Sequence, residues 1–330
     1  MHPSAALPYL ASPPLDLNAR LADMRSQIER RLAELVPTPV DSHDVMGAAL
    51  HEGVLAPGKR IRPLLMLLVG HSLGHQSAAL LDLSCAVEMV HAASLFLDDM
   101  PCMDNARLRR GRLAVHARFG QDVAVLGAVA LVSQSCSIAA SVPGVPGELQ
   151  ARLVRVLCHA VGMQGLVRGQ YRDLREGVAA RRFEDIASTN QQKTGSLFSA
   201  SFEMAALTAG ADEAVCSGLR KVAHELGHAF QLRDDIQDRT CSSANFGKDS
   251  NKDAGKSTLV ALLGLETARQ RLASHLDEAQ TQLHTALPQD KTVSLWVQKA
   301  FASPVPRSQP KDINPPSYRG LPAWQQQAGL

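Results

Sequence analysis

The pattern of apolar and polar positions along the chain is helical from about residue 18 onward. Apolar residues recur at three- and four-residue spacing, Ala and Leu are abundant, and the alternation typical of β-strands is scarce. This spacing places the apolar side chains on one face of successive helices. The pattern predicts an all-α fold, a single-domain helical bundle, with helices at 18–35, 42–53, 60–72, 77–99, 121–141, 147–176, 184–209, 213–238 and 256–286.

The two ends of the chain differ from this pattern. Residues 1–17 contain four prolines, and they lack the basic segment and apolar run of a secretory signal. Residues 303–330 contain six prolines and few aliphatic residues. We therefore expect a flexible N-terminal segment at 1–17, an all-helical domain at 18–300 and a disordered, Pro-rich tail at 301–330.

Composition excludes several classes of partner. Lys and Arg number 34 against 32 Asp and Glu, so the net charge of +2 gives no basic field for nucleic acid or an anionic membrane. The longest apolar run, 123–132, is shorter than the roughly 20 residues of a membrane-spanning helix. Six scattered cysteines without a CxxC pair favour reduced thiols. The sequence predicts a cytoplasmic protein with no membrane span and no nucleic-acid partner.

Three aspartates, Asp98, Asp99 and Asp104, follow the apolar stretch at 92–97. Carboxylates at an apolar helix end are costly unless a cation or positive side chains neutralise them. Oxygen ligands of this kind suit Mg²⁺, which often bridges carboxylates to substrate phosphates. In an ideal helix Asp98 and Asp104 would point about 120° apart, so their convergence needs a bulge, which Pro101 can supply. A solvated acidic helix end is the alternative interpretation.

A second cluster, Asp234, Asp235 and Asp238, follows the apolar stretch at 222–230. Asp234 and Asp238 are four residues apart, so they lie on one helix face and can share a metal ion. Alone this cluster is equally ambiguous. Together the two clusters predict a central cavity lined by six carboxylates, which would hold several Mg²⁺ ions and a diphosphate between them.

Positively charged residues accompany both clusters. Arginine forks and lysine point charges are the usual holders of diphosphates. Any single one could be a solvated surface charge, but their position beside helix ends and carboxylates favours a diphosphate site. They are Lys59, Arg60, Arg62, Arg109, Arg110, Lys193, Lys248 and Lys256.

The order of these motifs resembles the trans-isoprenyl diphosphate synthases, most of all the bacterial geranylgeranyl diphosphate synthases. The resemblance covers about residues 58–263. It implies an isoprenoid-synthase bundle around a central cavity and head-to-tail condensation of isopentenyl diphosphate with allylic diphosphates. The motifs that carry it are GKRIRP at 58–63, DDxxxxD at 98–104, LRRG at 108–111, GQ at 169–170, KTG at 193–195, FQxxDDxxD at 230–238 and GK at 255–256.

The same resemblance implies which residues hold the substrates. The diphosphate of isopentenyl diphosphate would be bound by Lys59, Arg62, His91 and Arg110. The allylic diphosphate would be bound by Arg109, Lys193 and Lys256, with Lys248 as a further substrate contact. Thr194 and Gln231 would face the reacting carbons.

The resemblance also implies the metal, the partners and the assembly. Asp98, Asp104 and Asp234 would bind Mg²⁺, with Asp99, Asp235 and Asp238 as further ligands or supports. Three Mg²⁺ ions per site are expected, and Mn²⁺ is expected to substitute. The allylic partners would be dimethylallyl, geranyl and farnesyl diphosphates. A homodimer is implied, and the run 123–132 could form its interface or be buried in the monomer.

Residues below the first aspartate cluster predict the product length. Ala93 and Ser94 lie about one turn deeper in the same helix, and both are small. Farnesyl-producing relatives typically carry an aromatic residue at the position of Ala93, so the resemblance favours geranylgeranyl diphosphate. Met89 could form the floor of the tail pocket, or it could be a core residue. Asn105 departs from the family pattern, where an aspartate is common.

Four alternatives remain. A farnesyl diphosphate synthase would use the same mechanism, but the small Ala93 argues for a longer product. A terpene cyclase would carry an NDxxSxxxE-like motif, which is missing from the sequence. A nucleotide-binding loop is suggested by SNKDAGKS at 250–257, but no strand-like segment precedes it. A non-catalytic partner subunit would be expected to lose aspartates or arginines, and both sets are complete here.

Overall fold

The structure is a computed structural model that describes residues 16–176, 181–240 and 258–302. Its first half is a series of helices interrupted by a short antiparallel hairpin. The elements are α1 (Leu17–Leu35), α2 (Val45–Val54), α3 (Ile61–Ser72), α4 (Ala78–Asp98), β1 (Leu108–Arg109), β2 (Arg112–Leu113), α5 (Val115–Phe119) and α6 (Gln121–Ser141).

The second half is entirely helical where it is described. It contains α7 (Gly147–Val161), α8 (Leu166–Glu176), α9 (Phe183–Asn190), a π-helical turn (Gln191–Gly195), α10 (Ser196–Thr208), α11 (Glu213–Thr240), α12 (Leu259–Leu263), α13 (Leu265–Ala286) and α14 (Thr292–Ala302). The all-α prediction is therefore confirmed.

Helix α4 is the centre of the bundle. Ser77 caps its first turn by accepting a hydrogen bond from the backbone N–H of Leu80. The helix is apolar around most of its circumference, and it packs against α1, α3, α6 and α10. Its carboxyl end therefore emerges from the core with fixed direction, and this end carries the first aspartate cluster.

Glycines explain where the helix boundaries differ from those predicted. The predicted helix 147–176 is divided at Gly162 and Gly165, and a Cβ at Gly165 would lie 2.1 Å from the carbonyl oxygen of Ala160. The predicted helix 256–286 is divided at Gly264, whose φ of +78° is in the left-handed region. The sequence patterns did not predict the hairpin, α5 or α14.

Two helices, α4 and α6, are long and apolar enough to cross a membrane by length and composition alone. The most apolar window is 72 % buried inside the molecule in α4 and 39 % buried in α6. The core helix of a globular protein passes the same test, and α4 is such a helix. The apolar part of α6 is longer than the uninterrupted run 123–132 on which the sequence analysis relied. The absence of a membrane span stays a prediction.

Several sequence predictions fall outside the described residues. They concern Lys248, Lys256, most of the N-terminal segment and nearly all of the tail. The domain boundaries at 18 and 300 stay predictions, although α14 carries the described chain to residue 302.

Candidate active site

The first aspartate cluster is formed by a tight turn rather than by a bulged helix. Helix α4 ends at Asp98, and the backbone N–H of Asp104 donates to the carbonyl oxygen of Asp98 at 2.9 Å. The backbone N–H of Ala106 likewise donates to Asp99 at 3.1 Å. Asn105 has a φ of 48°, a conformation that asparagine tolerates better than most residues. The turn thus folds Asp104 back toward Asp98.

The carboxyl of Asp98 has an unusual pKa. Burial raises its pKa to about 6, from an ordinary value of 3.8. Asp104 and Asp99 raise this pKa further, whereas Lys193 and Arg109 lower it. Asp98 therefore carries excess negative charge that a bound cation would stabilise.

Asp99 turns away from this charge and binds Arg109. The Nε atom of Arg109 lies 3.0 Å from both carboxylate oxygens of Asp99, and its Nη2 also contacts Asp99. Burial opposes the charge of Arg109, but this pairing raises its pKa overall. Asp99 was expected either to bind Mg²⁺ or to support a neighbouring side chain. The structure favours the supporting role, since the carboxylate orients Arg109.

The second cluster presents its carboxylates on two faces of α11. Asp234 and Asp238 are exposed, whereas Asp235 is 8 % exposed. The side chain of Gln231 donates to Asp235 at 2.7 Å and accepts from the Thr194 hydroxyl at 3.0 Å. Asp99 and Asp235 thus both bind protein donors. The family resemblance implied that each of these two aspartates is a further ligand or a support, and their contacts favour support.

Lys193 and Thr194 lie in the π-helical turn between α9 and α10. Such turns are rare and are frequent at functional sites. On one side the turn approaches α8 so closely that a Cβ at Gly169 would lie 2.2 Å from the backbone nitrogen of Lys193. On the other side a Cβ at Gly227 would lie 2.9 Å from the Cα of Gly195. These glycines hold the turn between α8 and α11.

Asp173 is a site residue that the sequence motifs missed. Its carboxylate lies 2.8 Å from the Nζ atom of Lys193. Burial opposes the charge of Lys193, but Asp173 and Asp98 raise its pKa overall. The four-residue spacing from Gly169 to Asp173 along α8 was the available signal, because it places both on the face toward Lys193.

Arg60 and Arg62 have different environments although they are two residues apart. Arg60 donates to both oxygens of Glu29, at 2.7 and 3.0 Å, and to Glu88 at 2.8 Å. It is 3 % exposed and joins α1 to α4. Arg62 lies 4.7 Å from the centre of the Phe198 ring, and its buried Nε has no hydrogen-bond partner among the described residues. Arg60 is therefore structural, whereas the buried Nε atom of Arg62 keeps a donor that the described residues do not use.

Arg62, Arg110 and His91 lie near one another in what we call the cationic cluster, in which the two arginines carry the positive charge. Burial lowers the pKa of Arg62 and of Arg110, and His91 has a pKa well below its ordinary value because of burial and the neighbouring arginines. Arg110 donates only weakly, to the carbonyl oxygen of Ala56 at 3.4 Å, and it lies against Gly58. Buried positive charge of this kind is unfavourable unless an anion binds.

A pocket connects the cationic cluster with the Asp99–Arg109 pair. Its polar lining includes His91, Arg110, Asp99 and Arg109, and Phe96 contributes an apolar wall. Asp234 acts electrostatically on Arg62, which places α11 near the same cluster. Lys59 is exposed on the loop before α3.

The candidate chain-length residues lie below the first cluster as expected. Ala93 is 2 % exposed and Met89 is fully buried. The Ser94 hydroxyl donates to the carbonyl oxygen of His91 at 2.8 Å. Met89 belongs to the continuous apolar core, so the structure supports its interpretation as a core residue.

The family model described as polyprenyl synthetase matches residues 43–291 of this sequence. The chain belongs to the polyprenyl synthetase family. It is 49 % identical over 280 residues to a geranylgeranyl diphosphate synthase of Pseudescherichia vulneris, covering 84 % of this chain and 90 % of that protein. It is 34 % identical to a farnesyl diphosphate synthase of Geobacillus stearothermophilus, covering 82 % and 93 %.

A solved structure of this family shows the same fold. It is a geranyltransferase from Helicobacter pylori complexed with magnesium and isoprenyl diphosphate. Its TM-score is 0.78 at 27 % identity, and the match covers 89 % of this chain and all of that one. Polyprenyl synthetases use Mg²⁺, and the carboxylate oxygens of Asp98 and Asp104 suit that ion because it prefers hard oxygen ligands.

Proposed function

We propose that this protein condenses isopentenyl diphosphate with allylic diphosphates, head to tail, and that its main product is geranylgeranyl diphosphate. The observations that carry the reaction are the raised pKa of Asp98 beside Asp104 and the nearby cationic cluster, in which the buried Nε atom of Arg62 has no hydrogen-bond partner among the described residues. The observation that supports the product is the small, buried Ala93 below Asp98.

The two groups of charged residues would hold different substrates. Arg62 and Arg110 would hold the isopentenyl diphosphate, since partly buried arginines favour an anion, with His91 as a hydrogen-bonding neighbour and Lys59 at the entrance. Arg109 and Lys193 would hold the allylic diphosphate, because Asp99 and Asp173 fix their positions beside Asp98. Lys248 and Lys256, outside the described residues, would add to the same diphosphate.

Four aspartates, Asp98, Asp104, Asp234 and Asp238, would hold three Mg²⁺ ions, and Mn²⁺ would substitute. Bound Mg²⁺ supplies charge neutralisation to the departing diphosphate. Arg109 and Lys193 add fixed positive charge at the same oxygens, and this stabilises the charge that develops as the allylic C–O bond breaks. Asp99 and Asp235 act indirectly, since they orient Arg109 and Gln231.

The remaining chemistry needs no side-chain nucleophile. The allylic cation is attacked by the double bond of isopentenyl diphosphate, and loss of one proton to the departing diphosphate removes the positive charge from the hydrocarbon chain. The product keeps the diphosphate of isopentenyl diphosphate. Thr194 and Gln231 would present hydroxyl and amide dipoles to the reacting carbons. Their mutual hydrogen bond fixes both groups before substrate binds. The buried helices around α4 exclude water that would otherwise quench the cation.

The assay that tests this function uses purified protein, Mg²⁺ and labelled isopentenyl diphosphate. Dimethylallyl, geranyl and farnesyl diphosphates are supplied separately, and the chain length of each product is determined. We expect geranylgeranyl diphosphate from all three primers. A farnesyl diphosphate endpoint would contradict the proposed product but keep the reaction. Absence of any product would favour a non-catalytic partner subunit.

Replacing Ala93 by Phe is expected to shorten the product to farnesyl diphosphate. The aromatic ring would occupy the space below Asp98 that the growing tail enters. Overpacking of this buried position should also lower stability by about 1–3 kcal/mol. Product analysis checks the first effect and thermal unfolding the second. Ala93→Ser adds little volume and is the matched control, for which the product should not change.

Mg²⁺ affinity is expected to weaken as the pH falls through about 6. The pKa of Asp98 is raised to about 6, so its carboxyl is protonated below this value and then binds metal poorly. Calorimetric titration of Mg²⁺ without substrate measures this directly, because diphosphates titrate in the same range. An affinity that does not change between pH 5 and pH 8 would exclude this role for Asp98.

The assembly and the location are also proposals. Val125, Leu126 and Val129 expose 41 %, 57 % and 61 % of their surface along α6, although this helix is otherwise apolar. A second copy of the chain would cover this stripe in a homodimer. We propose that the dimer is cytoplasmic, since its diphosphate substrates are charged and water-soluble at the reacting end.

A further inference from the structure

Helix α11 carries a histidine pair that the proposed reaction does not use. His224 and His228 are separated by one helical turn within the sequence HELGH at 224–228. Two histidines spaced i, i+4 lie on one helix face, and HExxH on a helix is a spacing that binds Zn²⁺. The pair begins about three turns before Asp234, so it is separate from the second aspartate cluster.

The two imidazole rings already have the separation of ligands on one metal ion. The Nε2 atoms of His224 and His228 are 3.3 Å apart. Two nitrogens bound at about 2.0–2.1 Å to a tetrahedral ion are about 3.3–3.4 Å apart. The ring centroids are 4.6 Å apart and the rings are tilted by 72°. Little side-chain rearrangement is therefore needed for both nitrogens to contact one cation.

Glu225 fixes the tautomer of His224. Its carboxylate lies 3.2 Å from Nδ1 of His224 and 2.6 Å from Nδ1 of His275 on α13. An ionised carboxylate only accepts hydrogen bonds, so both Nδ1 atoms carry the proton and both Nε2 atoms keep a lone pair. A carboxylate behind a histidine is the arrangement that orients metal-binding imidazoles.

The metal-free pair holds one proton between its two rings. Because Nε2 of His224 has a lone pair, Nε2 of His228 donates to it. Binding of a cation requires this proton to move to Nδ1 of His228 through solvent, and no net charge is lost from the rings. The side chain of His224 is 52 % exposed, which gives a cation access to the pair.

We propose that His224 and His228 bind a borderline transition-metal cation such as Zn²⁺, at a site distinct from the Mg²⁺ cluster. Imidazole nitrogens favour Zn²⁺, Ni²⁺ and Cu²⁺, whereas Mg²⁺ favours oxygen. Among the described residues no three His, Cys, Asp or Glu side chains are grouped as metal ligands, so water completes the coordination. Glu225 is held by two histidines and is not placed as a hydrolytic base.

The site would connect two helices that form an extensive contact. His275 stacks on His228, with ring centroids 5.2 Å apart and 20° between the planes. Through Glu225, a cation on α11 therefore fixes the orientation of a side chain on α13. A ligand that binds only the folded state raises the unfolding temperature. Zn²⁺ is thus expected to stabilise the packing of α11 against α13.

The test measures Zn²⁺ binding rather than catalysis. The full chain, with any affinity tag removed and metals stripped by a chelator, is titrated with Zn²⁺ against a chromogenic chelator. Excess Mg²⁺ occupies the aspartate clusters throughout. One equivalent of Zn²⁺ should bind, and the unfolding temperature should rise. Glu225→Gln should weaken binding by about 10–100-fold, as expected for loss of an orienting carboxylate.

His224→Gln is the decisive variant, and His284→Gln is its matched control. Both histidines are exposed, and His284 lies on α13 away from the pair. His224→Gln should weaken binding at least as much as Glu225→Gln, whereas His284→Gln should bind like the parent. Unfolding without metal, followed by circular dichroism, checks that all variants fold. Equal Zn²⁺ affinity in the parent and His224→Gln, or no bound equivalent in the parent, would overturn the proposal.

Discussion

Asp98→Asn is expected to lower turnover by orders of magnitude while stabilising the protein in the absence of Mg²⁺. The loss of turnover follows from the loss of a charged metal ligand. The gain in stability follows from the pKa of about 6 in the folded state against an ordinary 3.8. Each pKa unit corresponds to about 1.4 kcal/mol, so the ionised carboxylate costs about 2–3 kcal/mol at neutral pH.

Protonation of Asp98 makes the free energy of unfolding depend on pH. The folded state holds the Asp98 proton more tightly than the unfolded state, so the free energy of unfolding falls as the pH rises from about 4 to about 6. Above about 6 the full cost persists, and below about 4 it disappears. The difference in unfolding free energy between Asp98→Asn and the parent should therefore be largest at neutral pH and vanish in acid. Excess Mg²⁺ should also reduce it, because the ion stabilises only the parent's carboxylate.

Asp277→Asn is the control for this measurement. Asp277 is exposed on α13, far along the chain from either aspartate cluster. Its replacement should change neither turnover nor the unfolding temperature at any pH. Turnover near that of the parent in Asp98→Asn would remove Asp98 from the metal site. Lower stability of this variant at neutral pH would mean that other side chains already compensate the buried charge.

Helix positions were predicted correctly where glycine or proline marks both ends of an apolar segment. Helix α6 was predicted at 121–141 and occupies Gln121–Ser141, because a glycine precedes it and a Pro-rich connection follows it. The boundary near Gly162 was wrong, since apolar periodicity continues across the break. The break is dictated by close approach of the backbone at Gly165, and periodicity does not report such contacts.

The motifs predicted a set of site residues, but they did not predict which of these side chains pair with one another. The motifs placed Asp98, Asp104 and Lys193 at the site, and each motif is local in sequence. The partner of Lys193 is Asp173 on another helix, and the partner of Asp99 is Arg109 beyond the turn. Such pairs depend on how helices pack, so the motifs left open whether Asp99 and Asp235 are ligands or supports, and the structure pairs them with Arg109 and Gln231.

Arg60 and Arg62 show why adjacent motif residues need separate tests. Both lie in GKRIRP, yet Arg60 is neutralised by Glu29 and Glu88, whereas the Nε atom of Arg62 is buried without a partner among the described residues. Arg60→Met would leave Glu88 as an unpaired buried charge. Loss of one partner of a buried pair typically costs about 3–5 kcal/mol, so this variant should unfold at a much lower temperature.

Arg62→Met is expected to impair substrate binding but not stability, the opposite of Arg60→Met. It removes a charge whose pKa burial already lowers, so the unfolding temperature should not fall. Hydrogen bonds to charged groups contribute about 1.5–3 kcal/mol, so the KM for isopentenyl diphosphate should rise about 10–100-fold. The KM for the allylic substrate should change little, because Arg109 and Lys193 would hold that diphosphate. Steady-state kinetics with each substrate varied in turn measure the two KM values separately. A rise confined to the allylic substrate would place Arg62 at the other diphosphate and reverse the assignment of the two sites.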